Sequence, residues 1–164
     1  MLTNSTVSGN RASNSAFGGG GIANENNNVH NVVGTLTLSN STLSGNTASY
    51  GGGIQNEGHA TLTNSTLAGN VASKAGGGIQ SSGFGGTLPK TIMTNSTLAG
   101  NTSVTGGAIY MSGVAYSALT NTIVSNSSGS TNCHIDNIDS IDDRGGNIDD
   151  GAREHLNKSV DSCQ

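Results

Sequence analysis

The sequence predicts an all-β solenoid, a parallel β-helix of about five coils followed by an irregular acidic C-terminal cap. Three observations carry that prediction: a composition too poor in large apolar residues for a conventional core, an internal repeat, and a period-two alternation inside each repeat. The chain has 164 residues, enough for one domain. Gly, Ser, Asn and Thr account for 88 of them. Apolar residues other than glycine make up 32% of the chain, and 26 glycines supply much of what counts as apolar in an ordinary domain, so large apolar side chains are what is scarce. Trp is absent, and there are two Phe and three Tyr. A helix bundle or a doubly wound α/β domain cannot close a core from so few large side chains. Disorder would follow from such polarity only if the apolar residues were placed without order.

They are placed with order. Asn-Ser-Thr begins at Asn4, Asn40, Asn64 and Asn95, and Asn121-Thr122 is a degenerate fifth copy. Gly-Asn follows at Gly9-Asn10, Gly45-Asn46, Gly69-Asn70 and Gly100-Asn101. A glycine run ending in isoleucine then closes each unit at Ile22, Ile54, Ile79 and Ile109. A unit of about 24 residues cannot bury an apolar face alone and must stack on its neighbours.

Within a unit, Thr35-Leu36-Thr37-Leu38-Ser39 sets leucines on one side and hydroxyls on the other, as a strand does. Three short strands per unit are expected, carrying Leu36 and Leu38, then Leu43, then Ile54. Stacking them gives three core columns: Leu38, Leu62, Met93 and Leu119; Val7, Leu43, Leu67 and Leu98; and the four isoleucines. The repeated asparagines, Asn40, Asn64 and Asn95 in one position and Asn46, Asn70 and Asn101 in another, are expected to form ladders of amide hydrogen bonds between layers. Such a stacked amide cannot also carry a glycan, so the Asn-x-Ser/Thr sequons read as structural. Glycine before Asn or Ile permits positive φ or close packing at a corner. Unit-length variation falls in two insertions, near Asn24–Val33 and near Ser81–Pro89.

These residues resemble a known repeat. Gly106-Gly107-Ala108-Ile109 is the GGAI element of the polymorphic outer membrane protein repeat, and the GGGI sites are its near variant. The companion FxxN element occurs with an aliphatic residue at Val7–Asn10, Leu43–Asn46, Leu67–Asn70, Leu98–Asn101 and, shifted, Ile123–Asn126. The ending Asn121–Asn126, Cys133, Gly146-Asn147 and Cys163 resembles the CSLREA, or choice-of-anchor Q, type of bacterial surface β-helix protein. The resemblance implies a right-handed, pectin-lyase-like β-helix on a secreted or surface-exposed protein, and it implies no reaction.

Charge divides the chain at residue 132. Before it stand two acids, Glu25 and Glu57, and three bases, Arg11, Lys74 and Lys90. After it stand eight acids and both cysteines, so 1–132 are expected as coils and 133–164 as a cap. A net charge of −4 gives no support for nucleic-acid binding. No apolar run reaches the roughly 18 residues of a membrane span. Paired carboxylates for acid–base work are not expected on the coils, because Glu25 and Glu57 lie 32 positions apart. Asp136, Asp139, Asp142, Asp143, Asp149 and Asp150 lack the order of a calcium loop. Cys133 and Cys163 are expected to form a disulfide, with free thiols, or zinc shared with His134 and His155, as alternatives. His30 and His59 are expected in exposed loops. No cofactor and no catalytic residue are expected.

The chain begins at Met1 in mid-coil, which suggests a C-terminal piece of a longer exported protein with further coils upstream. The expected role is a non-catalytic spacer or adhesin stalk facing an extracellular ligand, polysaccharide being one candidate. The alternatives are the end of a polysaccharide-active enzyme whose catalytic coils lie upstream, and a carbohydrate- or ice-binding surface.

Overall fold

A computed structural model describes residues 1–13, 18–27, 32–83, 86–125, 127–128, 131–136 and 140–149. Every regular element among them is a β-strand. The first unit gives β1 (Leu2–Thr3), β2 (Thr6–Ser8) and β3 (Ile22–Asn24). The second gives β4 (Thr35–Ser39), β5 (Thr42–Ser44), β6 (Thr47–Tyr50) and β7 (Ile54–Asn56). The third gives β8 (His59–Thr63), β9 (Thr66–Ala68), β10 (Val71–Ala75) and β11 (Ile79–Ser82). The fourth gives β12 (Lys90–Thr94), β13 (Thr97–Ala99) and β14 (Ile109–Ser112), and the fifth β15 (Tyr116–Thr120), β16 (Ile123–Ser125) and β17 (Cys133–Ile135). β18 (Ser140–Asp143) and β19 (Ile148–Asp149) complete the order.

Each unit adds one strand to each sheet, and all paired strands run parallel. The first sheet runs β1-β4-β8-β12-β15-β18, the second β2-β5-β9-β13-β16-β19 and the third β3-β7-β11-β14-β17. This all-β stack of parallel strands is compatible with a parallel β-helix. Register carries the core columns from layer to layer. Leu38 pairs with Leu62, Leu62 with Met93 and Met93 with Leu119. Leu43 pairs with Leu67 and Leu67 with Leu98. Ile54 pairs with Ile79, and Ile79 with Ile109. All of these side chains are at most 1% exposed. One or two inward residues per strand therefore suffice, which is how a chain so poor in apolar residues closes a core.

The glycine runs let the layers approach. A Cβ on Gly77 would lie 2.4 Å from the Gly107 carbonyl oxygen and 2.6 Å from the Thr102 nitrogen, both main-chain atoms of the next unit. Only glycine fits there.

The structure departs from expectation in three places. Units two and three carry a fourth strand, and β6 and β10 pair as a two-stranded sheet. Its inward residues are Ala48 and Ala72 rather than large aliphatics, which hid it from a reading based on leucine and isoleucine. In the fifth unit Val124, not Ile123, pairs with Leu98 and is buried; Ile123 pairs with Thr97 and is exposed. Lastly, the described part of 133–149 does not form an irregular cap. β17, β18 and β19 pair in parallel with β14, β15 and β16, extending the same three sheets. Ile135 and Ile141 pack partly buried against the core. The leucine column ends on exposed Asp143, which pairs with Leu119.

Candidate functional site

The two asparagine positions have different jobs. Asn46, Asn70 and Asn101 are fully buried. Asn46 donates through both its main-chain N and Nδ2 to Asn70 Oδ1, at 3.1 and 3.0 Å, and Asn70 does the same to Asn101 Oδ1 at 3.0 Å. Nδ2 of Asn70 also donates to the Leu43 carbonyl at 3.0 Å. The amides of Asn46 and Asn70 are thus bonded across layers, forming a ladder. Asn40, Asn64 and Asn95 are instead exposed and hold φ of 50°, the left-handed turn that Asn tolerates better than other non-glycine residues. Their amide contacts are sparse: Asn64 donates to Asn40 Oδ1 at 3.1 Å, and Asn121 to Asn95 Oδ1 at 3.2 Å.

A further ladder escaped the sequence reading. Ser41, Ser65 and Ser96, the middle residues of Asn-Ser-Thr, point inward and are buried. Ser41 N donates to Ser65 Oγ and Ser65 N to Ser96 Oγ, each at 3.3 Å. Each hydroxyl donates to the carbonyl two residues back, at 2.8–3.0 Å. Thr122 takes the same place in the fifth unit and is buried. The constancy of this Ser in four units was the available signal.

Ile54, Ile79 and Ile109 lie in the third-sheet column, and Cys133 continues it, paired with Ile109 and fully buried. Cys133 is not a free thiol. Its expected partner Cys163 lies outside the described residues, as do His30, Asp139, Asp150, Glu154 and His155. Cys133 and His134 are consecutive strand residues and so face opposite sides of the sheet, which keeps them from sharing one zinc ion.

Chemically capable side chains gather in three places among the described residues. On the third sheet, Tyr110 stacks on His134 with ring centroids 5.7 Å apart. Asp136 receives the Tyr110 hydroxyl at Oδ2 (2.6 Å) and contacts His134 Nε2 through Oδ1 (3.0 Å). Burial, and then the Asp136 carboxylate, push the Tyr110 hydroxyl up to about 12. On the first sheet, Asp142 Oδ2 accepts from Tyr116 Oη and Arg144 Nε, both at 2.8 Å. The Arg144 and Tyr116 hydrogen bonds hold its carboxyl below the usual range. Lys90 Nζ sits 5.6 Å from the Tyr116 ring centroid. Both carboxylates already hold two polar partners and neither stands as an open base.

The third place corrects the expectation about Glu25 and Glu57. Asn24 pairs with Asn56 in register, so the two glutamates follow one another in adjacent layers, and Glu57 N donates to the Asn24 carbonyl at 2.8 Å. Burial raises the Glu57 carboxyl above its ordinary value, Gln55 Nε2 at 3.0 Å opposes that, and the Glu25 charge adds to it. Beside them the two insertions flank the short Glu57-Gly58 connection and leave a cleft of about 430 Å³. Asn27, Val32, Val33, His59, Thr87 and Leu88 line it. Neither glutamate lines the cleft itself.

No helix among the described residues is long and apolar enough to cross a membrane. Comparison with protein-family models, with curated proteins and with solved structures gives no match.

Proposed function

We propose that this chain is a segment of a right-handed parallel β-helix serving as a non-catalytic spacer or adhesin stalk on a secreted or surface-exposed bacterial protein of the polymorphic outer membrane protein or CSLREA type. One observation carries this reading. The residues that recur from unit to unit are committed to the stack: Asn70 to the amide ladder, Ser65 to the hydroxyl ladder, Asn64 to the left-handed turn, Gly77 to close layer contact and Ile79 to the core. A repeat whose members hold the stack together is what a spacer needs. A bridge from Cys133 to Cys163 would fit export to an oxidising compartment.

A second reading, a polysaccharide-active protein, is favoured by Glu25 and Glu57 in adjacent layers beside the cleft. A pair of carboxylates flanking the scissile bond is what most glycoside hydrolysis uses. One experiment separates the readings. The purified chain, incubated with neutral and acidic polysaccharides with and without Ca²⁺, is expected to release no new reducing ends and no unsaturated products. Release that disappears in Glu57→Gln, with unchanged melting temperature, would replace the spacer by an enzyme.

A further inference from the structure

The Asn-x-Ser/Thr tripeptide, the acceptor for N-linked sugar, occupies two kinds of position in this fold. At Asn101-Thr102-Ser103 the asparagine is fully buried, and its Nδ2 donates to the Leu67 carbonyl at 3.0 Å. No sugar fits there. At Asn4, Asn40, Asn64 and Asn95 the asparagine is exposed, in a left-handed turn. In units two to four the middle serine, Ser41, Ser65 or Ser96, turns inward and is buried. The threonine two residues on, Thr42, Thr66 or Thr97, precedes the buried Leu43, Leu67 or Leu98 on its strand and so faces outward. The two side chains that the motif requires reach the surface together, and the residue it leaves free turns in.

The amide nitrogens of this exposed column are not equivalent. Asn64 donates through Nδ2 to Asn40 Oδ1 at 3.1 Å, and Asn121 to Asn95 Oδ1 at 3.2 Å. Nδ2 of Asn40 and of Asn95 donates to no group among the described residues. Stacking therefore excludes a glycan at Asn101 but leaves these two nitrogens open. They lie two layers apart, roughly 9.6 Å by strand spacing, so a layer of clearance separates them. Asn4, one layer from Asn40, competes with it for that space. Asn121 continues the column without the motif, because Ile123 stands where the threonine would be.

We propose that Asn40 and Asn95 are N-glycosylation sites, modified from a donor sugar joined through C1 to phosphate. Nδ2 forms the new bond to C1 as the C1–O bond breaks. The phosphate leaves with that electron pair, and one Nδ2 proton passes to a base of the transferase. Oδ1 is untouched, so the interlayer bonds that Asn40 and Asn95 accept survive the modification. The proposal rests on neither reading of function, since a spacer and an enzyme carry surface sugar equally well.

The test uses the full chain isolated from the cells that make it. Peptide mapping by mass spectrometry, under fragmentation that keeps sugar on its side chain, is expected to find sugar on Asn40 and Asn95. Asn101 and Asn121 are expected to be bare. A single hexose identifies a nucleotide-linked donor, and a preassembled oligosaccharide a lipid-linked one. Thr42→Val and Thr97→Val, made in the same cells, are expected to lose the sugar at Asn40 and at Asn95 respectively while remaining folded, because each removes only an outward hydroxyl. Bare Asn40 and Asn95 in wild type, or sugar on Asn101, would overturn the proposal. So would sugar retained at these asparagines in both threonine variants, or sugar found only on serine and threonine hydroxyls.

Discussion

Leu67→Asp is expected to destabilise the protein by about 3–5 kcal/mol, because it buries a carboxylate with no partner. Leu67 is fully buried between Leu43 and Leu98, in the middle of a continuous aliphatic column. A carboxylate there would either remain charged in an apolar column or take up a proton at a matching cost. At this chain length the loss lowers the melting temperature by roughly 10 °C or more. Thr66→Asp, one residue earlier and on the opposite side of β9, is expected to change it by little, since its new charge meets water. Thermal denaturation of the two variants side by side measures the difference. Equal melting temperatures would remove the assignment of inward and outward residues.

The second large effect is expected at Asn70. Replacing it by Leu keeps the volume and deletes four hydrogen bonds: two donated to Leu43 O and Asn101 Oδ1, and two accepted from Asn46 N and Nδ2. Asn46 N is left unpaired and Asn46 Nδ2 keeps only its bond to the Val7 carbonyl, at roughly 1–3 kcal/mol for each unsatisfied group. A total of about 3 kcal/mol or more is expected, allowing for relaxation and non-additivity. Asn64→Gly is the contrasting variant. It removes an exposed amide and keeps a residue suited to φ of 50°, so it is expected to be within about 0.5 kcal/mol of wild type. Urea denaturation reads both. A large loss at Asn64 and a small one at Asn70 would reverse the roles assigned to the two positions.

The parts of the fold legible in the sequence were those written by period-two alternation. Leu38, Leu62, Met93 and Leu119 could be aligned because each stands between small polar residues that point the other way. Direction is harder to read where every residue is small and polar. Asn-Ser-Thr recurs as a block, and nothing in its composition says that Ser turns inward while Asn takes a left-handed bend. Ladders are expected at both asparagine positions; the exposed one keeps interlayer amide bonds from Asn64 to Asn40 and from Asn121 to Asn95, while the inward direction of the serines has no such signal. β6 and β10 were hidden because Ala48 and Ala72 carry too little apolar surface to mark an inward face.

In the fifth unit the frame is set by the left-handed turn at Asn121 (φ 47°) and the inward Thr122. The FxxN spacing Ile123–Asn126 is shifted by one there, and Val124, not Ile123, holds the core position. Glu25 and Glu57 show a more general point about solenoids. A separation of 32 residues is one unit plus an insertion, so distance along the chain became adjacency in space. The cleft beside them could not be read at all, since it depends on how two insertions flank the short connection at Gly58.

The central claim is that consecutive units stack in parallel and in register, one layer per unit, and paired cysteines test it most directly. Thr42 and Thr66 are outward register partners in adjacent layers. Their Cα atoms are about 4.8 Å apart by strand spacing, inside the range a disulfide spans. Thr42 and Thr97 are two layers apart, at roughly 9.6 Å, beyond that range. Mild oxidation of Thr42→Cys/Thr66→Cys, followed by peptide mapping, is expected to find the 42–66 bridge in nearly all molecules. Thr42→Cys/Thr97→Cys is expected to keep both introduced thiols free. Efficient bridging of 42 to 97, with none of 42 to 66, would contradict the stacked register.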